Sequence, residues 1–166
     1  MTYTPWESRP TEIANLINPG FCSLLLCSAV SGYQISTGYG APYALMYLIL
    51  PIVLYPPARR NLPKNTKTLL PMWIQNHSDL QYHITSRVPV MFEYTRESLT
   101  FGLQHGVIQI QDDGLLYTNN KVISDKTIIT ENQETNECLL SSSLLGRWFG
   151  KVNNPSFILT LWGLQP

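Results

Sequence analysis

Residues 18–30 read NPGFCSLLLCSAV and form the apolar centre of the predicted fold. Asn18 is a residue type that caps helix N-termini, and Pro19 suits the first helical position. Apolar and small side chains then recur at helical spacing, namely Leu24, Leu25, Ala29 and Tyr33. Either Gly38 or Gly40 can end the helix. The stretch therefore predicts a long, mostly apolar helix.

This helix lies in a span without charge, because no Asp, Glu, Lys or Arg occurs between Glu12 and Arg59. A second apolar run covers residues 41–55, where Pro42 can open a helix and Pro51 is expected to kink or terminate it. One stripe of this second helix consists of Leu45, Leu48, Ile49 and Ile52. The alternative is a membrane hairpin, but a spanning helix needs about 20 mostly apolar residues, and runs of about 10–14 are more typical of core helices. We therefore predict two buried helices and no membrane insertion.

The chain has 166 residues, of which 13% are charged, and its 11 basic and 11 acidic side chains cancel. This length suits one compact domain, predicted over residues 1–166. A surface with few charges and no net charge is poorly protected against association, so it is expected where partners cover it. The composition favours a subunit of an assembly.

Cysteine usage indicates a reducing compartment. The three cysteines, Cys22, Cys27 and Cys138, form an odd set without the spacing of a disulfide framework. The first apolar run begins after Pro19 without a basic region or a cleavage site, so no secretory signal is expected. We predict a cytoplasmic location.

The middle of the chain has the order of elements typical of a winged helix. Residues 66–75 predict one helix, Ser78 can cap a second, and the Thr-Arg-Glu-Ser sequence that begins at Thr95 is expected to open a third. Two short apolar segments then flank an Asp-Asp-Gly sequence at residues 112–114, which strongly indicates a β-hairpin. We predict a winged-helix-like part over residues 58–120.

The C-terminal third predicts two further helices. A polar surface connection covers residues 121–131, a long helix covers residues 131–149, and Pro155 opens a short helix that runs to Leu161. The predicted fold class is mainly α (α+β), a helical bundle with a winged-helix-like β-hairpin. Its parts are apolar N-terminal helices, the winged-helix-like part and C-terminal helices, at residues 1–57, 58–120 and 131–166.

No catalytic, cofactor or metal site is predicted. A nucleophilic Cys or Ser needs a neighbouring His and an orienting carboxylate, whereas Cys22 and Cys27 lie in the most apolar helix. His77 and His83 are six residues apart, which does not place both on one helical face. The sequence also lacks a Gly-rich phosphate loop that ends in Gly-Lys-Ser or Gly-Lys-Thr. We therefore expect a protein that is not an enzyme.

Nucleic-acid binding is the main alternative, because winged helices often read DNA. One modest basic cluster could contact phosphates: Arg59, Arg60, Lys64 and Lys67. The predicted hairpin strands contain no Lys or Arg, so few phosphates could be neutralised. A winged helix that docks on protein is therefore favoured over a winged-helix DNA-binding regulator.

The predicted long helix offers candidate partner-binding residues near its end. An interior stripe at i, i+1 and i+4 is assigned to Leu144, Leu145 and Trp148. That orientation places Arg147 and Lys151 on another face and leaves Phe149 poorly placed for the core. Arg and aromatic residues are enriched at interfaces, so a partner contact through these three is the candidate interface. Because that enrichment is only a statistical tendency, the sequence slightly favours the other interpretation, in which Arg147 pairs with a carboxylate within the chain and Phe149 packs under Trp162.

Several blocks of the sequence, in a fixed order, resemble one protein family. They are RPTEIANLINPGFC at 9–22, LILPIVL at 48–54, YTRES at 94–98 with FGL at 101–103, LGRWFGK at 145–151 and LWG at 161–163. Together they resemble the middle component of bacterial three-component ABC systems, as used by the Lamassu defence systems, also called the Ddm plasmid-elimination type. The resemblance spans nearly the whole chain apart from residues 121–131.

The resemblance implies a role that does not follow from composition and spacing alone. A middle component of this kind is similar to a clamp subunit on the head region of an SMC-like, coiled-coil ABC ATPase dimer. It also contacts an effector, commonly a nuclease, that is restrained until the ATPase senses foreign DNA. The expected function is thus a non-catalytic adaptor in an anti-phage or anti-plasmid complex, which contacts DNA mainly through its partners.

Overall fold

The computed structural model describes residues 4–119 and 132–165, and most of them are helical. In chain order the helices are α1 (Thr11–Leu16), α2 (Pro19–Thr37), α3 (Met46–Val53), α4 (Pro56–Asn61), α5 (Leu70–Asn76), α6 (Ser78–Gln104), α7 (Gln133–Val152) and α8 (Pro155–Leu161). A single antiparallel hairpin joins β1 (Gln109–Ile110) to β2 (Leu116–Tyr117). The predicted class, mainly α with one hairpin, is confirmed.

Helix α2 begins and ends at the residues that the sequence indicates. The side chain of Asn18 accepts a hydrogen bond from the Phe21 N–H at 3.1 Å, and Pro19 is the first helical residue. At the other end Gly38 has φ +82°, a left-handed conformation that suits glycine. Eleven of the 19 residues of α2 are buried, because other elements cover most of its faces, whereas Leu24 and Ile35 are 41% and 65% exposed.

Helices α2 and α7 pack against each other in parallel. The Ser28 hydroxyl donates to Leu139 O at 2.9 Å, and the contacts then advance in the same direction along both helices. The facing positions are Ser28 with Leu139, Gly32 with Ser143, and Ser36 with Gly150. We call this contact the α2–α7 seam.

Small residues allow the backbones to meet closely at the α2–α7 seam. A Cβ added at Gly146 would overlap the carbonyl oxygen of Ala29, and one added at Gly32 would overlap that of Ser143. Glycine is the residue for such an approach because it has no Cβ. Close packing over several turns gains dispersion energy along the full length of the contact. The α2–α7 seam is therefore the tightest part of the fold.

Helix α3 forms another layer of the core, against α2 and α6. The predicted stripe of Leu45, Leu48, Ile49 and Ile52 has no exposed surface. Complete burial of such a side chain contributes about 1.5–3 kcal/mol relative to exposure. Helix α3 continues through Pro51 and ends two residues later at Val53, close to the predicted position.

The helices before the hairpin differ from the prediction. The helix predicted over residues 66–75 begins only at Leu70, with Pro71 in its first turn. The cap predicted at Thr95 is wrong, because α6 runs unbroken through it and its hydroxyl donates to Met91 O at 3.0 Å. Thr95 is fully buried, so tertiary packing decides against a helix start there. Two helices, rather than three, thus lie in the stretch predicted to carry three helices before the hairpin, and the winged-helix-like part is not confirmed.

The hairpin has the predicted turn. Gln109 pairs with Tyr117 and Ile110 with Leu116, and Gly114 adopts φ +75° in the turn. A further bridge ties this hairpin to the chain after α2, since the Ala41 N–H donates to Leu116 O at 2.8 Å and the Leu116 N–H donates to Ala41 O at 2.9 Å. The hairpin is therefore held against the bundle rather than projecting from it.

The C-terminal helices match the sequence closely. Helix α7 starts after Asn132, whose side chain accepts from the Thr135 N–H, and extends to Val152. Helix α8 covers Pro155–Leu161 as predicted, and Gly163 follows with φ +71°. The connection predicted over residues 121–131 lies outside the described residues.

One segment of the described chain is long and apolar enough to cross a membrane. It covers Thr11–Thr37 and has 53% of its most apolar window buried inside the protein. The core helix of a soluble protein passes the same test of length and composition. In this structure the apolar side chains of α2 contact α3, α6 and α7.

Candidate partner interface

The structure separates the three residues predicted to bind a partner through α7. Phe149 is 1% exposed, so the expectation that it is poorly placed for the core is wrong. Arg147 is half-buried, and its Nη1 donates to the Ser143 hydroxyl at 3.2 Å, whereas Lys151 is exposed. The error arises because α7 is covered on several faces at this point, so more than one stripe is interior. Partner contact through Arg147 and Lys151 stays a prediction.

The four cations predicted to contact DNA also divide into two groups. Arg59 is 5% exposed and belongs to the fold. Its Nη2 donates to Glu134 Oε1 at 2.8 Å, and its Nη1 donates to Val53 O at 2.8 Å. Arg59 is thereby excluded as a DNA contact, because its charge is buried and compensated. Glu137 adds a second carboxylate, 3.8 Å from Arg59 Nε.

The other three cations are exposed: Arg60 lies in the last turn of α4, and Lys64 and Lys67 lie on the segment between α4 and α5. Arg60, Lys64 and Lys67 make no ion pair with any residue that the structure describes. Leu69 and Met72 follow closely and are 63% and 55% exposed. We call these five residues the basic loop surface. It combines positive charge with large apolar side chains at adjacent positions.

Buried tryptophans hydrogen-bond to the backbone of the segment that carries the basic loop surface. The Trp73 indole N–H donates to Asn61 O at 2.9 Å, and the Trp148 indole N–H donates to Thr68 O at 2.7 Å. The rings of Trp148 and Trp162 lie 5.7 Å and 6.1 Å from that of Trp73. Each end of the segment is therefore held by an indole from the core.

Two of the blocks that carry the family resemblance meet through a buried ion pair near the N-terminus. The Arg9 side chain has no exposed surface; its Nη2 lies 2.5 Å from Glu97 Oε2 and its Nη1 donates to Ile17 O at 3.0 Å. Its guanidinium also stacks 4.7 Å from the ring centre of Tyr94. Sequence reasoning missed this contact, although Arg9 and Glu97 both lie within quoted blocks.

A groove of about 750 Å³ lies beside this contact, and its apolar lining includes Ile17, Phe21, Leu54 and Val90. Its charged residues are Arg59, Arg87 and Glu134, and the Arg87 guanidinium lies 5.1 Å from the ring centre of Tyr55. Cys138 is the thiol in its wall. A second groove of about 710 Å³ is lined by residues that include Trp6, Arg96 and Phe101.

The cysteine thiols are poorly suited to nucleophilic chemistry. Burial raises the pKa of Cys22 to about 12 and also raises the pKa of Cys27 and Cys138. Such thiols stay protonated near neutral pH, whereas the thiolate is the reactive form. Cys27 instead lies within hydrogen-bond distance of the Thr118 hydroxyl and of Val107 O. These residues pack and hydrogen-bond within the fold.

Two of the histidines contact residues of their own helical turn. His77 stacks on Trp73 with Nδ1 2.8 Å from Trp73 O, and His105 stacks on Phe101 with Nδ1 2.9 Å from Phe101 O. Within residues 4–119 and 132–165, no group of three or more His, Cys, Asp or Glu side chains is placed to hold a metal ion.

Comparison with known proteins places this chain in a family. Residues 6–166 match the family model described as ABC-three component (ABC-3C) system Middle Component 3. No curated protein and no solved structure matches the chain. Because the match covers nearly all of the sequence, including the residues of the α2–α7 seam and the tryptophan cluster, the chain belongs to the Middle Component 3 family of ABC-three component systems.

Proposed function

We propose that the protein is a non-catalytic adaptor that bridges an SMC-like ABC ATPase and an effector nuclease within a Lamassu-type anti-phage or anti-plasmid defence complex. The family supports a component that acts together with other components. The ATPase supplies nucleotide chemistry, so this chain needs no nucleotide site of its own. The complex is cytoplasmic, and Thr11–Thr37 is a core segment of it.

The observation that carries this proposal is the spread of large apolar side chains over the surface. Several helices each expose at least one of them by about half or more: Ile35 (65%), Leu69 (63%), Met72 (55%), Tyr82 (73%) and Leu140 (51%). Single exposed hydrophobics are ordinary, but exposure on several helices together with a low content of charge is typical of surfaces that partners cover. A bridging subunit needs more than one such surface.

The interior supports the same role. Direct backbone packing at the α2–α7 seam and the buried Arg9–Glu97 pair hold the bundle as one rigid body. A rigid adaptor transmits a displacement from one partner to another, because a packed core deforms little under strain. The ATPase could thereby release the effector through this chain without any chemistry in it.

Co-expression with the components encoded beside it tests the proposal. The chain should co-purify with the ATPase and with the effector, and it should bridge them in a three-part complex by size-exclusion chromatography. An ATPase and effector that associate equally well without this chain would overturn the bridging role.

The Arg147→Glu variant tests the predicted contact on α7. The variant should keep a near-normal circular dichroism spectrum and melting temperature yet lose co-purification with the ATPase or the effector. A matched control is Ser141→Glu, which adds an acid at a half-buried position on the same helix. If Arg147→Glu unfolds the chain, or retains both partners at the wild-type yield, the α7 contact is wrong.

A DNA-binding regulator is the second candidate, and its supporting observation is the set of exposed cations Arg60, Lys64 and Lys67. Three phosphate contacts give a slope of only about −2.7 for the logarithm of the binding constant against the logarithm of salt concentration. We expect weak binding of duplex DNA without sequence preference by the isolated chain. Tight, sequence-dependent binding at physiological salt would favour the regulator over the adaptor.

A further inference from the structure

The basic loop surface has an excess of positive charge that the described part of the protein does not balance. The sequence contains no acidic residue between Glu12 and Asp79, so no acid adjoins Arg60, Lys64 and Lys67 along the chain. The nearest cation in sequence, Arg59, already holds Glu134 and Glu137. The three exposed cations are therefore available for carboxylates from outside the chain.

Apolar contact is available on the same surface. Leu69 and Met72 are exposed by more than half of their area, three positions apart at the start of α5. Methionine adapts to irregular apolar partners, and the aliphatic stems of nearby lysines extend the apolar area. Phosphate recognition makes no use of Leu69 or Met72, whereas a protein segment would cover them.

The basic loop surface is also held in one shape before any partner arrives. Indole N–H groups of Trp73 and Trp148 bind the carbonyls of Asn61 and Thr68 at the two ends of the exposed segment. Those indoles lie in the core, where neither ring can easily move. A surface ordered in advance loses less conformational freedom on binding.

We propose that the basic loop surface docks an acidic protein segment that carries apolar side chains and belongs to another component of the complex. This inference rests on the proposed function, because it requires a partner component. Carboxylates of the segment pair with Arg60, Lys64 and Lys67, and its apolar side chains cover Leu69 and Met72. The long-range charge attraction speeds and orients docking, while the apolar contact supplies much of the affinity.

The test uses the full chain co-expressed with its ATPase and effector. The charge variant combines Arg60→Ser, Lys64→Ser and Lys67→Ser. The matched control combines Gln104→Glu, Gln109→Glu and Gln111→Glu, three exposed positions at the end of α6 and on the hairpin, and changes the net charge by the same amount. The charge variant should retain at least about tenfold less of one partner at moderate salt, and the control should retain the wild-type amount.

An apolar variant tests the other half of the surface. Leu69→Ser should weaken retention of the same partner, and Ile110→Ser, at an exposed hairpin residue of similar size, should not. Circular dichroism confirms that each variant is folded. Retention by the wild-type chain should fall with rising salt, and the charge variant should lose most of that dependence.

The outcomes separate this inference from the proposed function. If the wild-type chain holds neither partner, the adaptor role itself fails. If it holds both and the charge and apolar variants retain them equally well, only the docking surface is wrong. If the charge variant keeps both partners but its complex loses affinity for a duplex DNA probe, the surface binds nucleic acid and the acidic-segment proposal is overturned.

Discussion

The α2–α7 seam and the basic loop surface lie in the same small bundle but are built in opposite ways. At the α2–α7 seam the side chains are small or absent, and backbone atoms of the two helices touch. On the basic loop surface the side chains are long and exposed, and only the backbone carbonyls of Asn61 and Thr68 are held from the core. One region stabilises the protein, and the other is open to partners.

This difference shows what the family-like blocks do in the structure. Gly146, Trp148 and Phe149 of one block, and Trp162 of another, are all interior. The basic loop surface contains none of the quoted blocks. These residues of the blocks support the core, and the basic loop surface is set by residues that the resemblance does not mark. Arg147 and Lys151, the predicted contacts on α7, do lie within a block.

The largest expected effect is at the α2–α7 seam. Gly146→Ala would place a Cβ on the carbonyl oxygen of Ala29, and both are backbone-positioned groups that cannot rotate away. We expect a loss of about 3 kcal/mol or more in the free energy of unfolding, at the upper end of overpacking costs. Urea denaturation followed by circular dichroism measures it.

Whether Gly146→Ala lowers or raises the free energy of unfolding provides the control for this prediction. Alanine favours helix by about 1 kcal/mol over glycine, so a loosely packed seam would make Gly146→Ala stabilising. Gly150→Ala is the graded comparison, because its Cβ would meet the Ser36 Cβ at 2.8 Å rather than a carbonyl. It should destabilise less than Gly146→Ala, and the reverse order would contradict the packing described for the α2–α7 seam.

The next effect concerns the link between the core and the basic loop surface. Trp148→Phe removes the hydrogen bond to Thr68 O, whereas Trp162→Phe removes an indole N–H that has no hydrogen-bond partner among the described residues. Both substitutions remove the same ring volume from buried sites. Trp148→Phe should therefore cost about 1 kcal/mol more than Trp162→Phe, the net value of one hydrogen bond.

Denaturation of the two tryptophan variants side by side measures that difference. Trp148→Phe should also increase amide hydrogen exchange within residues 62–69 more than Trp162→Phe does, because one anchor of the exposed segment is lost. Equal stability and equal exchange in the two variants would mean that the indole does not hold the segment.

Another effect below that of Gly146 is expected at Gly114, where backbone conformation rather than space limits the side chain. An added Cβ at Gly114 would meet no atom within 4 Å, but its φ of +75° strains any β-branched residue. Gly114→Val should cost about 1–3 kcal/mol from backbone strain alone. Gly114→Asn is the matched control, since Asn tolerates the left-handed region. A melting temperature unchanged by Val would contradict the turn.

The smallest effect is a pH dependence at the tip of the hairpin. Hydrogen bonds from the Leu115 N–H and the Tyr117 hydroxyl lower the pKa of Asp113 below its usual range. A carboxyl whose pKa is lowered by folding stabilises the fold above its unfolded pKa of about 3.9, and this stabilisation is lost as pH falls through the folded pKa. The contribution is slight because Asp113 is exposed.

NMR titration of the Leu115 amide would report this loss directly. The amide shift should move as pH falls below about 4 in the wild-type chain. Asp113→Asn should abolish the transition, and Asp112→Asn, at the neighbouring exposed carboxyl, should leave it. A transition that persists in Asp113→Asn would place the titrating group elsewhere.

Local signals in the sequence predicted much of the secondary structure. Asn18 with Pro19, the Asp-Asp-Gly turn and Pro155 each act through backbone geometry within a few residues, so their positions are correct. Thr95 failed for the opposite reason. Its local sequence matches a helix cap. Burial against the core, however, keeps its hydroxyl hydrogen-bonded to Met91 O, and α6 continues past Thr95.

The candidate interface was harder to predict, because charge along a sequence does not reveal exposure. Arg59 and Arg60 are neighbours, yet the first is buried against Glu134 and the second is exposed. The stripe of Leu144, Leu145 and Trp148 leaves Phe149 poorly placed for the core, whereas α7 is covered on more than one side and Phe149 is buried. Both errors have the same cause. The periodicity of a helix in the sequence does not show how many other elements pack around that helix.

By itself, the sequence determined the helical class, most helix ends, the hairpin turn and the family, because these depend on local dihedral preference, spacing and ordered blocks. Only the tertiary structure decided that α2 and α7 run in parallel with their backbones in contact, and that two indoles hold the segment bearing Lys64 and Lys67. These contacts join residues 12 to 120 positions apart. Such contacts form only when the whole chain has packed, since each depends on where all the other elements lie.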